Sequence, residues 1–116
     1  MTTAESAVRY RDGAAVVDLP AQIDSTAEAA LNDAYAAAAA HGSNTVLLNF
    51  AGVEFLSSTG IALIVGMLAR ARKDGRAIRA SGLSDHNKEI FEITRLADYM
   101  PIFADETAAL RDGGVK

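Results

Sequence analysis

Hydrophobic and polar positions change their spacing several times along the chain, and each change marks a new element. Ala7 to Arg11 and Ala14 to Leu19 are short strand-like runs on either side of Asp12-Gly13. That dipeptide readily adopts the positive backbone angles of a tight hairpin turn. Thr45 to Phe50 is too short for a helix and apolar enough to be buried on both faces. The pattern predicts an N-terminal β-hairpin and a central strand.

Two longer segments carry the start and stop signals of helices. The first is rich in alanine, extends from about Ala27 to His41 and is followed by Gly42, with Ser25 and Thr26 as candidate N-caps. The second extends from about Gly60 to Asp74 and is followed by Gly75, which also favours a helix end. Two helices are therefore predicted, one before and one after the central strand along the chain.

The second predicted helix has an apolar face at helical spacing, formed by Ile61, Ile64, Val65 and Leu68. A stripe of small residues, Ala62, Gly66 and Ala69, adjoins it and would let the helix approach a sheet closely. We therefore expect Met67 and Arg70 to lie on the exposed side of this helix.

The remaining segments complete an α/β pattern. They predict a strand at 77–80, a helix at 87–96, an edge strand at 101–103 and a last helix at 106–111. Strands that alternate with helices imply crossover connections and a mainly parallel sheet. We expect one domain over residues 1–116, with a four- or five-stranded mixed sheet, the hairpin at its edge and about four helices.

Composition narrows the classes of protein to consider. The 116 residues include no cysteine, which removes disulfides, thiolate catalysis and cysteine-bound zinc and fits a reducing cytoplasm. The net charge of -4 has both signs interspersed, so no basic face is available for nucleic acid. No window approaches the roughly 20 apolar residues of a membrane span. We expect a cytoplasmic protein that binds neither nucleic acid nor membrane.

The segment Ser57-Ser58-Thr59-Gly60 lies between a short strand and the start of a helix. Free backbone N–H groups and the helix dipole favour negative charge there, so a phosphate on a hydroxyl would be accommodated. The alternative is that Ser58 or Thr59 simply caps the helix. A hydrolase role for Ser58 is not expected, because the chain lacks a Gly-x-Ser-x-Gly elbow and neither histidine has an obvious orienting acid.

Neither a metal ion nor a cofactor is expected. His41 ends one predicted helix and His86 precedes another, so we expect both to be residues at helix ends and not metal ligands. Gly113-Gly114 is not followed by Lys-Ser or Lys-Thr, so it does not form a phosphate-binding loop.

The nine residues from Phe55 to Leu63 resemble the signature of STAS domains, a hydrophobic pair followed by Asp-Ser-Ser/Thr-Gly-Leu/Ile-Gly. The order of the predicted elements is also similar to that family, as are Ile23-Asp24, Gly82-Leu83 and the segment 90–96. Among the STAS domain proteins, the chain resembles the anti-sigma factor antagonists. In those proteins the serine after the aspartate is phosphorylated by a kinase that is itself the anti-sigma factor, and Ser58 corresponds to that serine.

The resemblance implies a switch in transcription regulation, such as a stress response, controlled by a sigma factor. The expected partners are an anti-sigma factor serine kinase, bound by the unmodified form, and a phosphatase that resets the switch; weak homodimerisation is left open. The partner surface is expected to include Asp24, Ser57, Ser58, Thr59, Gly60, Met67 and Arg70.

Two positions depart from the family pattern. Ser57 replaces the aspartate before the phosphorylated serine, and Asn49 ends the central strand where aspartate is frequent. An acidic neighbour would help to hold Mg²⁺ or orient the hydroxyl. Its loss supports a second interpretation, in which the chain is an unphosphorylated STAS scaffold or an accessory subunit of a signalling assembly or transporter ATPase.

Overall fold

A computed structural model describes residues 7–113, which form seven strands and four α-helices. The elements are β1 (Ala7–Arg11), β2 (Ala14–Asp18), β3 (Gln22–Ile23), α1 (Glu28–His41), β4 (Thr45–Asn49), β5 (Phe55–Leu56), α2 (Ser58–Asp74), β6 (Ala77–Ser81), α3 (Asp85–Ile93), β7 (Ile102–Phe103) and α4 (Glu106–Gly113). None of the helices in this range is both long and apolar enough to cross a bilayer.

Five strands form a mixed sheet in the order β1-β2-β4-β6-β7. The β1–β2 pair is antiparallel, and the other neighbours are parallel. Asp12 and Gly13 both have positive φ, 52° and 82°, as the hairpin turn requires. The prediction of a mixed sheet with an N-terminal hairpin is confirmed. A separate two-stranded pair of β3 and β5, which was not predicted, lies outside this sheet.

The helix ends follow the glycine signals but not the predicted N-cap of α1. Gly42 and Gly75 have φ of 85° and 77° and terminate α1 and α2 as expected. At the start of α1, a 3₁₀ turn at Ser25–Ala27 comes first, and Asp24 caps it by accepting a hydrogen bond from the backbone N–H of Thr26. The expectation that Ser25 or Thr26 is the cap is wrong.

The third helix is shorter at its C-terminal end than predicted. It ends at Ile93 instead of Leu96, and Arg95 then adopts the left-handed conformation with φ of 67°. A 3₁₀ turn at Leu96–Asp98 follows and turns Leu96 back into the core. The chain reverses here without glycine, which is why the pattern gave no stop signal.

The two faces of the five-stranded sheet are covered unequally. Alternate residues of β2, β4 and β6 face a large core shared with α1, α2 and α3, which includes Val17, Leu48 and Phe91. The other face carries a small core of five buried residues, Ala14, Val16, Leu47, Ala109 and Leu110. Helix α4 covers this second face.

Arg9 joins β1 to the first turn of α4. Its guanidinium donates to both carboxylate oxygens of Asp18, at 2.6 and 2.7 Å, and to Glu106 at 2.8 and 3.2 Å. Arg11 adds a 2.8 Å contact to Glu106. Hydrogen bonds from Arg9 lower the pKa of both carboxyl groups. This Arg9 clasp fixes α4 against the hairpin.

Helix α2 is rotated from the predicted orientation. Its buried residues are Gly60, Ile64, Met67 and Ala71, whereas Val65 is 47% exposed. The small residues Ala62 and Gly66 face outward instead of toward the sheet. The expectation that Met67 lies on the exposed side is wrong, because this side chain is 4% exposed and belongs to the main core.

Candidate functional site

The candidate site is the junction between β5 and α2. The backbone N–H and the hydroxyl of Ser57 both approach the carbonyl oxygen of Ile23, at 3.0 and 3.3 Å. The Ser57 hydroxyl oxygen in turn accepts a 3.0 Å hydrogen bond from the N–H of Gly60. Ser57 is therefore the N-cap of α2, and the alternative that Ser58 or Thr59 fills that role is wrong.

Gly60 determines how closely the first turn of α2 approaches β3. A Cβ atom at this position would clash with the Ile23 carbonyl oxygen and carbon. Gly60 is buried, so it shapes the surface without presenting a side chain to a partner. Its rotation toward Ile23 also sets the face of α2 that is buried, which explains why Met67 turns inward.

Ser58 and Thr59 remain exposed in the first turn of α2. Within residues 7–113, neither hydroxyl takes part in a hydrogen bond. Because Ser57 provides the cap, the Ser58 hydroxyl is available for modification or for contact with another protein. The helix N-terminus supplies a partial positive charge beside it.

The sheet of β3 and β5 brings the Asp24 loop to the same place. Ile23 pairs with Leu56, so Asp24 and Ser57 each directly follow one member of this pair. Hydrogen bonds from the Thr26 side chain and backbone lower the pKa of Asp24, which keeps its carboxylate ionised. Asp24 thus acts as a turn cap and also adds negative charge at the edge of the site.

Arg70 lies farther along α2 and contacts α1. Its guanidinium is 4.5 Å from the ring centroid of Tyr35, and it donates a 3.3 Å hydrogen bond to Asn32. It is exposed, as expected, but its contacts hold the two helices together. The structure therefore brings Asp24 close to the segment from Ser57 to Gly60. Arg70 lies farther along α2, and Met67 is buried instead of lying at the surface.

Phe55 is a large apolar residue at the surface of the site. Its side chain is 50% exposed, directly before the buried Leu56. Its backbone N–H donates to the Ala21 carbonyl at 3.0 Å, which aligns β5 with β3. The pairing of two-residue strands decides which neighbour points inward, and no periodicity in the sequence could have shown it.

Asn49 has a structural partner that explains its departure from aspartate. Its side-chain N–H donates to Asp18 at 2.8 Å, and its oxygen accepts from the N–H of Ala51 at 3.0 Å. Aspartate at position 49 would place a second carboxylate beside Asp18. Asparagine at position 49 thus leaves Asp18 without a neighbouring carboxylate in the Arg9 clasp.

The model of a family described as "Mlab, STAS domain" matches residues 6–103. The chain belongs to the STAS domain family. The predicted membership in this family is therefore confirmed.

Curated relatives include the anti-sigma-B factor antagonists of Staphylococcus aureus (strain NCTC 8325 / PS 47) and Staphylococcus epidermidis. Each is 33% identical over 61 residues, which is 53% of this chain and 56% of the relative. The chain thus spans about half the length of these relatives.

Solved structures share the whole fold at lower identity. A STAS domain protein described as an anti-sigma factor antagonist, from Planctomyces limnophilus, superposes with a TM-score of 0.81 at 22% identity. The match covers 96% of this chain and 98% of the other. The phosphorylated form of the Bacillus cell fate determinant SpoIIAA gives 0.69 at 19% identity, covering 91% and 97%. These matches confirm the STAS-like fold.

Proposed function

We propose that this chain is an anti-sigma factor antagonist that captures an anti-sigma factor kinase in its unmodified form and releases it when Ser58 is phosphorylated. The observation that carries the proposal is the exposed Ser58 hydroxyl at a helix N-terminus already capped by Ser57. The names of the staphylococcal relatives support the same role.

Phosphorylation of Ser58 would change binding far more than folding. It adds about -1.5 to -2 charge units near neutral pH. The dipole of α2 tolerates negative charge at this end, typically gaining about 0.3–1 kcal/mol. In an interface formed around a neutral hydroxyl, the same charge meets a desolvation cost and repulsion from any partner carboxylate. Since 1.4 kcal/mol is about tenfold in affinity, a modest penalty is enough to release the partner.

The proposed partner surface follows the exposed side of β5 and α2. Ser58, Ala62 and Val65 are spaced i, i+4 and i+7 and are all exposed, so they form one stripe along α2. Phe55 precedes this stripe with half of its side chain exposed. Aromatic residues frequently dominate binding energy at interfaces. Phe55 therefore replaces Met67 as the proposed apolar anchor, with Asp24 at the border.

Affinity capture tests this function. The unmodified chain serves as bait, and mass spectrometry identifies both the captured proteins and any phosphate on Ser58. Calorimetric titration of the captured kinase against wild type, Ser58→Ala and Ser58→Glu follows. We expect Ser58→Ala to bind like the unmodified chain and Ser58→Glu to bind at least about tenfold more weakly. Equal affinities for all three forms would contradict the phosphorylation switch.

We also propose that the chain is not an enzyme. A nucleophilic serine needs an adjacent base within hydrogen-bond reach. Among residues 7–113, no side chain forms a hydrogen bond with the Ser58 hydroxyl. An acyl-ester probe should leave Ser58 unlabelled, and labelling that disappears in Ser58→Ala would contradict this proposal.

The second candidate is an unphosphorylated scaffold or accessory subunit, for example on a transporter ATPase. Ser57 favours it, because a neutral cap lacks the carboxylate that would orient a phosphoryl transfer. The matching family model, described as "Mlab, STAS domain", is a second reason to test it. Capture of an ATPase partner with no phosphate on Ser58, and binding equal in Ser58→Ala, would favour this candidate over the switch.

A further inference from the structure

The C-terminal half of α2 borders an open groove that meets the proposed Ser58 surface only at Val65. The groove is bounded by α2, by the start of β6 and by the 3₁₀ turn that follows α3. Its volume is about 670 Å³. Sites for small molecules commonly occupy about 300–1,000 Å³, so this groove is large enough for such a ligand.

The groove exists because small side chains line it. Ala69, Ala71 and Ala77 leave space where larger residues would fill the angle between α2 and β6. Two large apolar side chains at its border are left uncovered: Val65 is 47% exposed and Tyr99 is 66% exposed. An apolar ligand would cover them, and covering exposed apolar surface is favourable.

The charged residues of the groove are predominantly cationic. Among the described residues, three arginines line it, Arg72, Arg76 and Arg95, against the single carboxylate of Asp98. Asp98 is paired with Arg95 at 2.6 Å. Arg72 has no carboxylate partner within residues 7–113. Arg76 donates to the carbonyl oxygens of Ser43 and Ala39, and only its buried Nε lacks a hydrogen-bond partner in this range. Guanidinium groups match the geometry of a carboxylate, which they bind through paired hydrogen bonds.

The backbone at Arg95 supplies independent support. This residue has φ of 67°, a left-handed conformation that is unfavourable for most residues other than glycine. The chain uses glycine with positive φ to end α1 and α2, at Gly42 and Gly75. At the end of α3 it retains arginine despite this cost. Strained residues of this kind cluster at functional sites, and here the residue lines the groove.

We propose that this groove binds a small amphiphilic carboxylate. The aliphatic body of the ligand covers Val65, Tyr99 and the alanine-lined wall, and its carboxylate accepts hydrogen bonds from Arg72 and Arg95. Contact with the apolar lining accounts for the affinity. The excess of guanidinium groups selects a ligand whose head group is negatively charged. This site shares only Val65 with the proposed Ser58 surface and does not depend on the phosphorylation switch.

Calorimetric titration with dodecanoate, below its micelle-forming concentration, tests the charge requirement. We expect saturable binding of dodecanoate and none of dodecyltrimethylammonium, which has the same chain and the opposite charge. Arg72→Gln should weaken dodecanoate binding about tenfold or more, because it removes a charge-assisted hydrogen bond to the carboxylate. Lys73→Gln removes a charge next to the groove without altering its lining, and should leave the affinity unchanged. Equal binding of both amphiphiles, or equal losses in the two variants, would overturn the proposal.

A second pair of variants tests the location. Ala69→Leu fills the groove from an exposed helix position and should abolish binding, whereas Ala62→Leu adds the same bulk outside it and should not. Amide NMR shifts on addition of dodecanoate should centre on Ala69, Ala77 and Tyr99. Failure of the folded wild-type chain to bind dodecanoate, or shifts centred on the Ser58 loop, would refute the site. Ser58→Glu should bind dodecanoate as wild type does, which separates this result from the proposed function.

Discussion

The carbonyl oxygen of Ile23 occupies the space that a side chain at Gly60 would need. A Cβ at position 60 would clash with this oxygen, so the first turn of α2 and the Asp24 loop can meet only when residue 60 is glycine. The same carbonyl accepts hydrogen bonds from Ser57. One peptide group of β3 therefore fixes the geometry of the whole loop that carries Ser58.

Gly60→Ala should destabilise the fold because the clash involves backbone atoms, which cannot rotate away. We expect a loss of about 1–3 kcal/mol in the free energy of unfolding, as for other overpacked sites. Gly66→Ala is the matched control on the same helix, since a Cβ there meets no atom within 4 Å. It should stabilise the chain by up to about 1 kcal/mol through helix propensity. Urea denaturation of both variants measures the difference, and similar effects would contradict the role of Gly60.

Substitutions at Met67 should affect folding and not partner recognition. Its side chain is 4% exposed within the main core, so Met67→Ala should cost about 2–5 kcal/mol. Met67→Glu would bury a charge and should prevent stable folding. Ala62→Glu, at an exposed position of the same helix, should keep native circular dichroism and melting behaviour. A well-folded Met67→Glu variant would contradict the observed orientation of α2.

The sequence predicted those parts of the fold whose local signals agree with their environment. Asp12-Gly13 formed its turn, and Gly42 and Gly75 ended their helices, because each requires a backbone conformation that glycine supplies easily. The rotation of α2 could not be read from its own periodicity, because it depends on the contact between Gly60 and a distant carbonyl.

The position of the candidate site was predicted from the sequence, but the role of each residue within it was not. The junction of β5 and α2 was identified through the STAS signature, and Asp24 was placed near it. Which hydroxyl caps the helix depends on where α2 begins, and the sequence could not distinguish Ser57 from its two neighbours. The inward turn of Leu56 and the exposure of Phe55 depend on pairing with β3, whose two residues are too few to show a pattern.

Ser57 should tolerate aspartate but not alanine. Both serine and aspartate are good N-caps, so Ser57→Asp should change the free energy of unfolding by less than about 0.5 kcal/mol, whereas Ser57→Ala should cost about 1 kcal/mol. Thermal unfolding measures this difference. Ser57→Asp also restores the family pattern, and under the proposed switch it should speed phosphorylation of Ser58 by the partner kinase, because an acidic neighbour can position metal and hydroxyl. Equal or slower incorporation of phosphate would count against an orienting role at this position.

The Arg9 clasp should make stability depend on pH in acid. Asp18 and Glu106 have a lower pKa in the folded chain than when unfolded, so their contribution is present above the ordinary carboxyl pKa of about 4 and is lost as pH falls through the lowered values. At neutral pH, Arg9→Gln should cost about 1 kcal/mol, a modest figure because the pairs are partly exposed to solvent.

Melting curves of wild type and Arg9→Gln between neutral pH and strong acid test the clasp. The gap between them should narrow as pH falls below about 4, since protonation removes the same interactions as the substitution. Arg95→Gln is the control: its pair with Asp98 is highly exposed and should contribute little at any pH. A gap that stays constant with pH would show that Arg9 acts through packing alone.

At the start of α2, the residues that stabilise the fold differ from those that face solvent, and this separation has an evolutionary consequence. Folding constrains Ser57 and Gly60, through the cap and the contact with Ile23, while the side chains of Ser58, Ala62 and Val65 face solvent. Mutations at the exposed positions can therefore accumulate with little effect on stability. A duplicated copy of this gene could acquire a new partner, or lose Ser58, before its core had to change at all.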